Sequence, residues 1–116
     1  MSRLEVIEGA GWEDLLAAPA ALLVLGRSDC AACGMWVEEL ERFLATDATW
    51  THVRFGHLRL DQPGLLDFKR ANPWVASVCE LPTNLLYVGG VRKKTWLGGG
   101  AKRLEERLES LRPRDA

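Results

Sequence analysis

The sequence has no surplus of either charge. Fifteen Lys and Arg stand against sixteen Asp and Glu, for a formal net charge of -1 at pH 7. Both signs are interspersed, so the basic patch of a nucleic-acid binder is missing, and so is the charge cluster that holds a chain to a lipid surface. Long apolar runs are missing as well. The longest stretch, Leu15 to Leu25, is about half of what a bilayer-spanning helix needs, and Pro19 interrupts it. Met1-Ser2-Arg3-Leu4-Glu5-Val6-Ile7-Glu8 mixes acid and base, without the basic start and apolar core of a secretory signal. Cysteine is scarce: Cys30, Cys33 and Cys79 are an odd set, which does not fit the paired framework of a small secreted scaffold. A cytoplasmic, reducing setting is the expectation. Internal repeats and the glycine fingerprints of flavin or nicotinamide binding are also lacking.

What is present fits one domain. A chain of 116 residues is large enough to bury a core without structural disulfides. The expected division is a single domain over 1–112 and a short tail over 113–116.

The most informative residues are Cys30 and Cys33, because the run Leu22-Leu23-Val24-Leu25-Gly26 leads through Arg27-Ser28-Asp29 straight into them. Cys33, Trp36, Val37, Leu40, Phe43 and Leu44 then recur at helical spacing, with Glu38, Glu39, Glu41 and Arg42 between them. Two thiols on the first turn of a helix come within disulfide reach, and the helix N-terminus stabilises a thiolate. Ser28 or Asp29 is expected to cap that helix. Cys30, nearer the exposed start, is then the attacking nucleophile and Cys33, deeper, the resolving thiol. Half of a zinc site, with Cys79, His52 or His57 as further ligands, is an alternative, as is an inert pair. No second closely spaced ligand pair supports zinc, and no metal is expected.

The rest of the chain alternates strand and helix, which implies parallel strands joined by crossover helices. Strands are expected over Leu4 to Ile7, Ala21 to Leu25, Thr51 to Leu60, Asn84 to Val88 and Arg92 to Leu97, with Gly89-Gly90 as a hairpin turn. A short helix carries Trp12, Leu15 and Leu16, a second runs near Leu65 to Ala71, and the last bears Leu104, Leu108 and Leu111. Asn72-Pro73 is expected to cap a further helical piece with Trp74, Val75, Val78 and Cys79 on one side, which predicts a buried Cys79.

The order β-α-β-α-β-α-β-β-α, with CxxC at the second helix and Leu81-Pro82-Thr83 before the hairpin, resembles thioredoxin over nearly the whole chain. The resemblance implies an α/β, thioredoxin-like fold with a central mixed sheet flanked by helices. It implies a protein-disulfide oxidoreductase, with Leu81, a cis Pro82, Thr83 and Gly98 binding the substrate's extended chain. Partners would be disulfide-containing proteins or low-molecular-weight thiols, and an external reductase for recycling. No bound cofactor, nucleic acid or membrane is expected, and the chain should be a monomer.

Departures from the family pattern are equally legible. Asp29 replaces the tryptophan before the first cysteine, and Ala31-Ala32 replaces Gly-Pro. Val24 takes the place of a buried aspartate that assists the resolving thiol. His57 stands where a lysine is common, and is a candidate proton relay. These changes leave open a binding or chaperone-like module with slow turnover.

Overall fold

The computed structural model describes residues 2–113. Of the tail expected over 113–116, all but Pro113 lies outside them. The elements are β1 (Leu4–Val6), α1 (Gly11–Leu16), β2 (Ala20–Gly26), α2 (Ala31–Thr46), β3 (Arg54–Arg59), α3 (Leu66–Ala71), a 3-10 turn (Pro73–Ser77), β4 (Thr83–Val88), β5 (Val91–Leu97), α4 (Ala101–Leu108) and a closing 3-10 turn (Glu109–Leu111). The strands form one five-stranded sheet in the order β1-β3-β2-β4-β5. β1 and β2 run parallel to β3, and β4 runs antiparallel to both β2 and β5, so the sheet is mixed as expected.

β2 is central because every one of its residues is buried. A strand that is apolar at consecutive positions must bury both faces, and alternate side chains point to opposite sides. Leu22 and Val24 enter a core with Trp36, Leu40 and Leu44 of α2 and with Leu104 and Leu108 of α4. Ala21, Leu23 and Leu25 enter a second core with Leu15 of α1, Phe68 of α3 and Val75 of the first 3-10 turn. Helices α2 and α4 therefore cover one face, and α1 and α3 the other. Gly56 in β3 allows the closest approach: a methyl group there would lie 2.5 Å from Leu15 Cδ2 and 2.9 Å from Ile7 Cγ1.

Three expectations need correction in this frame. β3 begins at Arg54 and not at Thr51. The Asp47 carboxylate accepts the backbone N–H groups of Thr49 and Trp50 at 3.1 and 2.9 Å, and this turn holds the preceding residues out of the sheet. Cys79 is exposed, not buried. Asn72 makes no side-chain cap for the next piece; its Nδ2 donates to the Phe68 carbonyl at 2.9 Å and closes α3 instead. The piece after Asn72 is a 3-10 turn that ends at Ser77 with only Val75 buried, and the extended backbone at Val78 carries Cys79 outward. Among the described residues, no helix is long and apolar enough to cross a membrane.

Candidate active site

The cysteines sit where the central strand hands over to the longest helix. Cys30 is the N-cap of α2: its backbone is extended (φ -109°, ψ 106°) and its Sγ accepts the Cys33 N–H at 3.1 Å. Neither expected cap is free for that work. Ser28 donates its hydroxyl and its N–H to the Asp61 carboxylate, at 2.5 and 3.1 Å, which ties the loop to the end of β3. These bonds, the hydroxyl's first, hold the Asp61 carboxyl below the usual carboxylate range. Asp29 instead pairs with the Arg27 guanidinium at 3.1 Å.

Cys30 and Cys33 are joined as a disulfide, with their Cα atoms 5.2 Å apart. The two are not equivalent. Cys30 is half-buried, whereas Cys33 is only 1% exposed beneath the first turn. Ala31 and Ala32, between the two cysteines, are exposed.

The Leu81–Pro82 peptide is cis and brings the Leu81 carbonyl oxygen to 4.0 Å from Cys30 Sγ. Pro82 in turn accepts the Gly98 N–H at 2.9 Å. Gly98 has φ +85°, a conformation that favours glycine, and it turns the chain beside the loop. The buried Thr83 spends its hydroxyl on the Glu80 carbonyl at 2.7 Å and so supports the loop from below. An open groove of 320 Å³ runs along α2 beside the glycine turn, lined by Ala32, Met35, Trp36 and Gly99 and by the charged Glu38, Glu39 and Arg42. Met35 is 72% exposed, an apolar side chain in the open beside the disulfide.

His57 lies in β3 between Val24 of β2 and Val6 of β1. Its Nε2 is buried without a hydrogen-bond partner among the described residues. Burial, and then the nearby Arg59, push its pKa below the ordinary 6.5, while Glu41 pulls the other way. The ring is therefore neutral at neutral pH.

No protein-family model matches the sequence, and no curated protein does either. Solved structures do match. Thioredoxin O2 from Arabidopsis thaliana in its oxidised state superposes with a TM-score of 0.73 at 19% identity, over 97% of this chain and 96% of that one. A thioredoxin from Nicotiana alata gives 0.74 at 19% identity, over 97% and 95%. The thioredoxin of Malassezia sympodialis gives 0.74 at 15% identity, over 95% and 91%. This chain has the thioredoxin fold.

Within that thioredoxin fold, three residues escaped the sequence reading. Asn84 is wholly buried in β4, accepting from Trp36 Nε1 at 2.8 Å and donating to the Gly98 carbonyl at 2.7 Å. An amide at the head of the apolar run Leu85-Leu86-Tyr87-Val88 was a visible signal, since buried polar groups need partners. Asp61 gave no local signal, because its partner Ser28 is 33 residues away. Gly26 was legible only as the end of an apolar run, yet a methyl group on it would lie 3.0 Å from His57 Nε2 and 3.3 Å from Cys33 Sγ. Among the described residues, no group of three or more His, Cys, Asp or Glu is gathered to hold a metal ion.

Proposed function

We propose that the chain is a thiol-disulfide oxidoreductase that works through Cys30 and Cys33, acting as a reductase of protein or small-molecule disulfides. The observation that carries this reading is the asymmetry of the pair: a half-buried cysteine at the helix start, its sulfur 4.0 Å from the Leu81 carbonyl oxygen, and a second cysteine that is buried within the first turn. In the reduced protein the Cys30 thiolate attacks one sulfur of the substrate disulfide, and the first substrate thiolate leaves. Cys33 then attacks Cys30 Sγ, the mixed disulfide breaks, and the second substrate thiolate leaves. Two electrons pass to the substrate, and the protein is left with the Cys30–Cys33 bond. A reductase or a thiol outside this chain must reopen that bond.

The Leu81 carbonyl and the turn at Gly98 would form the edge against which an extended substrate chain lies, and the groove at Met35, with Glu38, Glu39 and Arg42 in its walls, starts from Ala32 and Gly99 nearby. The exposed, unpaired Cys79 fits a reducing, cytoplasmic setting, where such thiols persist. Reduction of insulin disulfides coupled to dithiothreitol is the direct test. It is paired with trapping: Cys33→Ser should accumulate a mixed disulfide on Cys30, and Cys30→Ser should not. Trapping without turnover would favour a binding module with the same groove.

A further inference from the structure

His57 is a half-buried titratable side chain, with its Nε2 buried, that the exchange cycle does not use. Among the described residues its Nε2 has no hydrogen-bond partner. Leaving a buried ring nitrogen unpaired is costly. One point in front of Gly26 lies 3.0 Å from His57 Nε2 and 3.3 Å from Cys33 Sγ. The imidazole nitrogen and the inner sulfur therefore look into the same small space, which stays open because residue 26 has no side chain. In the disulfide that sulfur carries no proton. Reduction restores an S–H group at the border of that space.

Resting on the oxidoreductase reading, we propose that His57 accepts the proton of the Cys33 thiol as Cys33 attacks the mixed disulfide. The Cys33 S–H proton moves to Nε2 of the Nδ1–H tautomer. The Cys33–Cys30 bond forms, the bond from Cys30 to the substrate sulfur breaks, and the electron pair leaves on that sulfur, which takes a proton from solvent. The imidazolium then gives its proton to solvent. In the reverse direction, when an external thiol opens the Cys30–Cys33 bond, the imidazolium returns a proton to Cys33.

The surroundings keep the ring in the accepting form. Val24 of β2 and Val6 of β1, paired on either side of it, carry no charge. Arg59, on its own strand, disfavours the imidazolium, whereas Glu41 of α2 favours it, and burial outweighs both. Cys33 is the titratable group of α2 that shares its space.

The test is single-turnover reduction of the aromatic disulfide 5,5′-dithiobis(2-nitrobenzoate) in a Cys79→Ser background, which removes the exposed thiol outside the pair. The first thionitrobenzoate released reads the attack by Cys30, and the second reads resolution by Cys33. His57→Gln should leave the first phase within about twofold and slow the second by about 100-fold at pH 7, the usual worth of a positioned base. The wild-type second phase should be nearly flat from about pH 6.5 to 8, whereas that of the variant should rise about tenfold per pH unit, following preformed thiolate. Free imidazole should restore the second phase in His57→Ala, which a merely structural role would not permit. A second phase of unchanged rate and pH dependence in His57→Gln overturns the proposal. Should that variant fail to fold, a wild-type second phase that itself climbs tenfold per unit overturns it equally. Failure of the oxidoreductase reading looks different: the wild type would release no second thionitrobenzoate.

Discussion

The Trp36 indole N–H donates to the Asn84 side-chain carbonyl at 2.8 Å, joining the helix that carries the cysteines to the strand behind the cis-proline loop. The Asn84 amide continues to the carbonyls of Gly98 and Trp96 at 2.7 and 3.3 Å. One buried side chain thus fixes three parts of the site relative to one another.

Asn84→Ala should therefore strand a buried indole N–H and a Gly98 carbonyl together. The expected loss is about 2–5 kcal/mol, larger than that of an ordinary surface change. Urea unfolding of the oxidised protein measures it. A loss below about 1 kcal/mol would mean that water replaces the amide without penalty.

Gly56→Ala tests the approach of α1 to β3. The added methyl group meets Leu15 Cδ2 at 2.5 Å and Ile7 Cγ1 at 2.9 Å, both from side chains already packed in the core. Overpacking of this kind costs about 1–3 kcal/mol. Thermal unfolding should show a lower midpoint with the disulfide and its chemistry retained, because the clash lies on the sheet face away from α2.

His57 also couples stability to pH. Its pKa in the folded protein is depressed below 6.5, so the unfolded chain binds the proton more readily. The associated stability is present above the unfolded pKa and is lost as pH falls through the depressed folded value. The urea midpoint of the wild type should decline below pH 6.5 more steeply than that of His57→Gln. Parallel declines would show that carboxylates such as Asp47 carry the acid sensitivity instead.

The reduction potential should fall between the values for thioredoxin and disulfide isomerase, about -270 to -180 mV. Only Ala31 and Ala32 stand between the cysteines, so no intervening histidine stabilises the reduced thiolate, and Asp29 is engaged with Arg27. Equilibration with glutathione gives the number. A value near -120 mV would mark an oxidant and overturn the reductase direction.

The fold was legible because its signals are local. β2 declared itself by continuous apolarity, α2 by its stripe from Cys33 to Leu44, and the hairpin by Gly89-Gly90 between two strand-like runs. What stayed hidden depends on distance or on competition for a group. Ser28 looked like a cap, yet Asp61 claims its hydroxyl from the far end of β3, and the sulfur of Cys30 inherits the capping role. The apolar company of Cys79 predicted burial, but a 3-10 turn does not stack residues on the face that an α-helix would. His57 was visible as an odd residue in a strand; that it shares a space with Cys33 depends on the missing side chain of Gly26, which only the register of β2 and β3 brings close.

Because Cys30 Sγ accepts the backbone N–H of Cys33, chemistry at that sulfur is also an event in the backbone of α2. A thiolate accepts this bond more strongly than a disulfide sulfur does. The Cys33 amide is therefore a built-in gauge of the charge on its partner's sulfur, with a proton resonance that should move at every stage of the cycle. It also governs how the nucleophile can be removed cleanly. A serine at position 30 keeps an acceptor for the first turn, whereas an alanine uncaps the helix, so the two replacements silence the same reaction while leaving different helices behind.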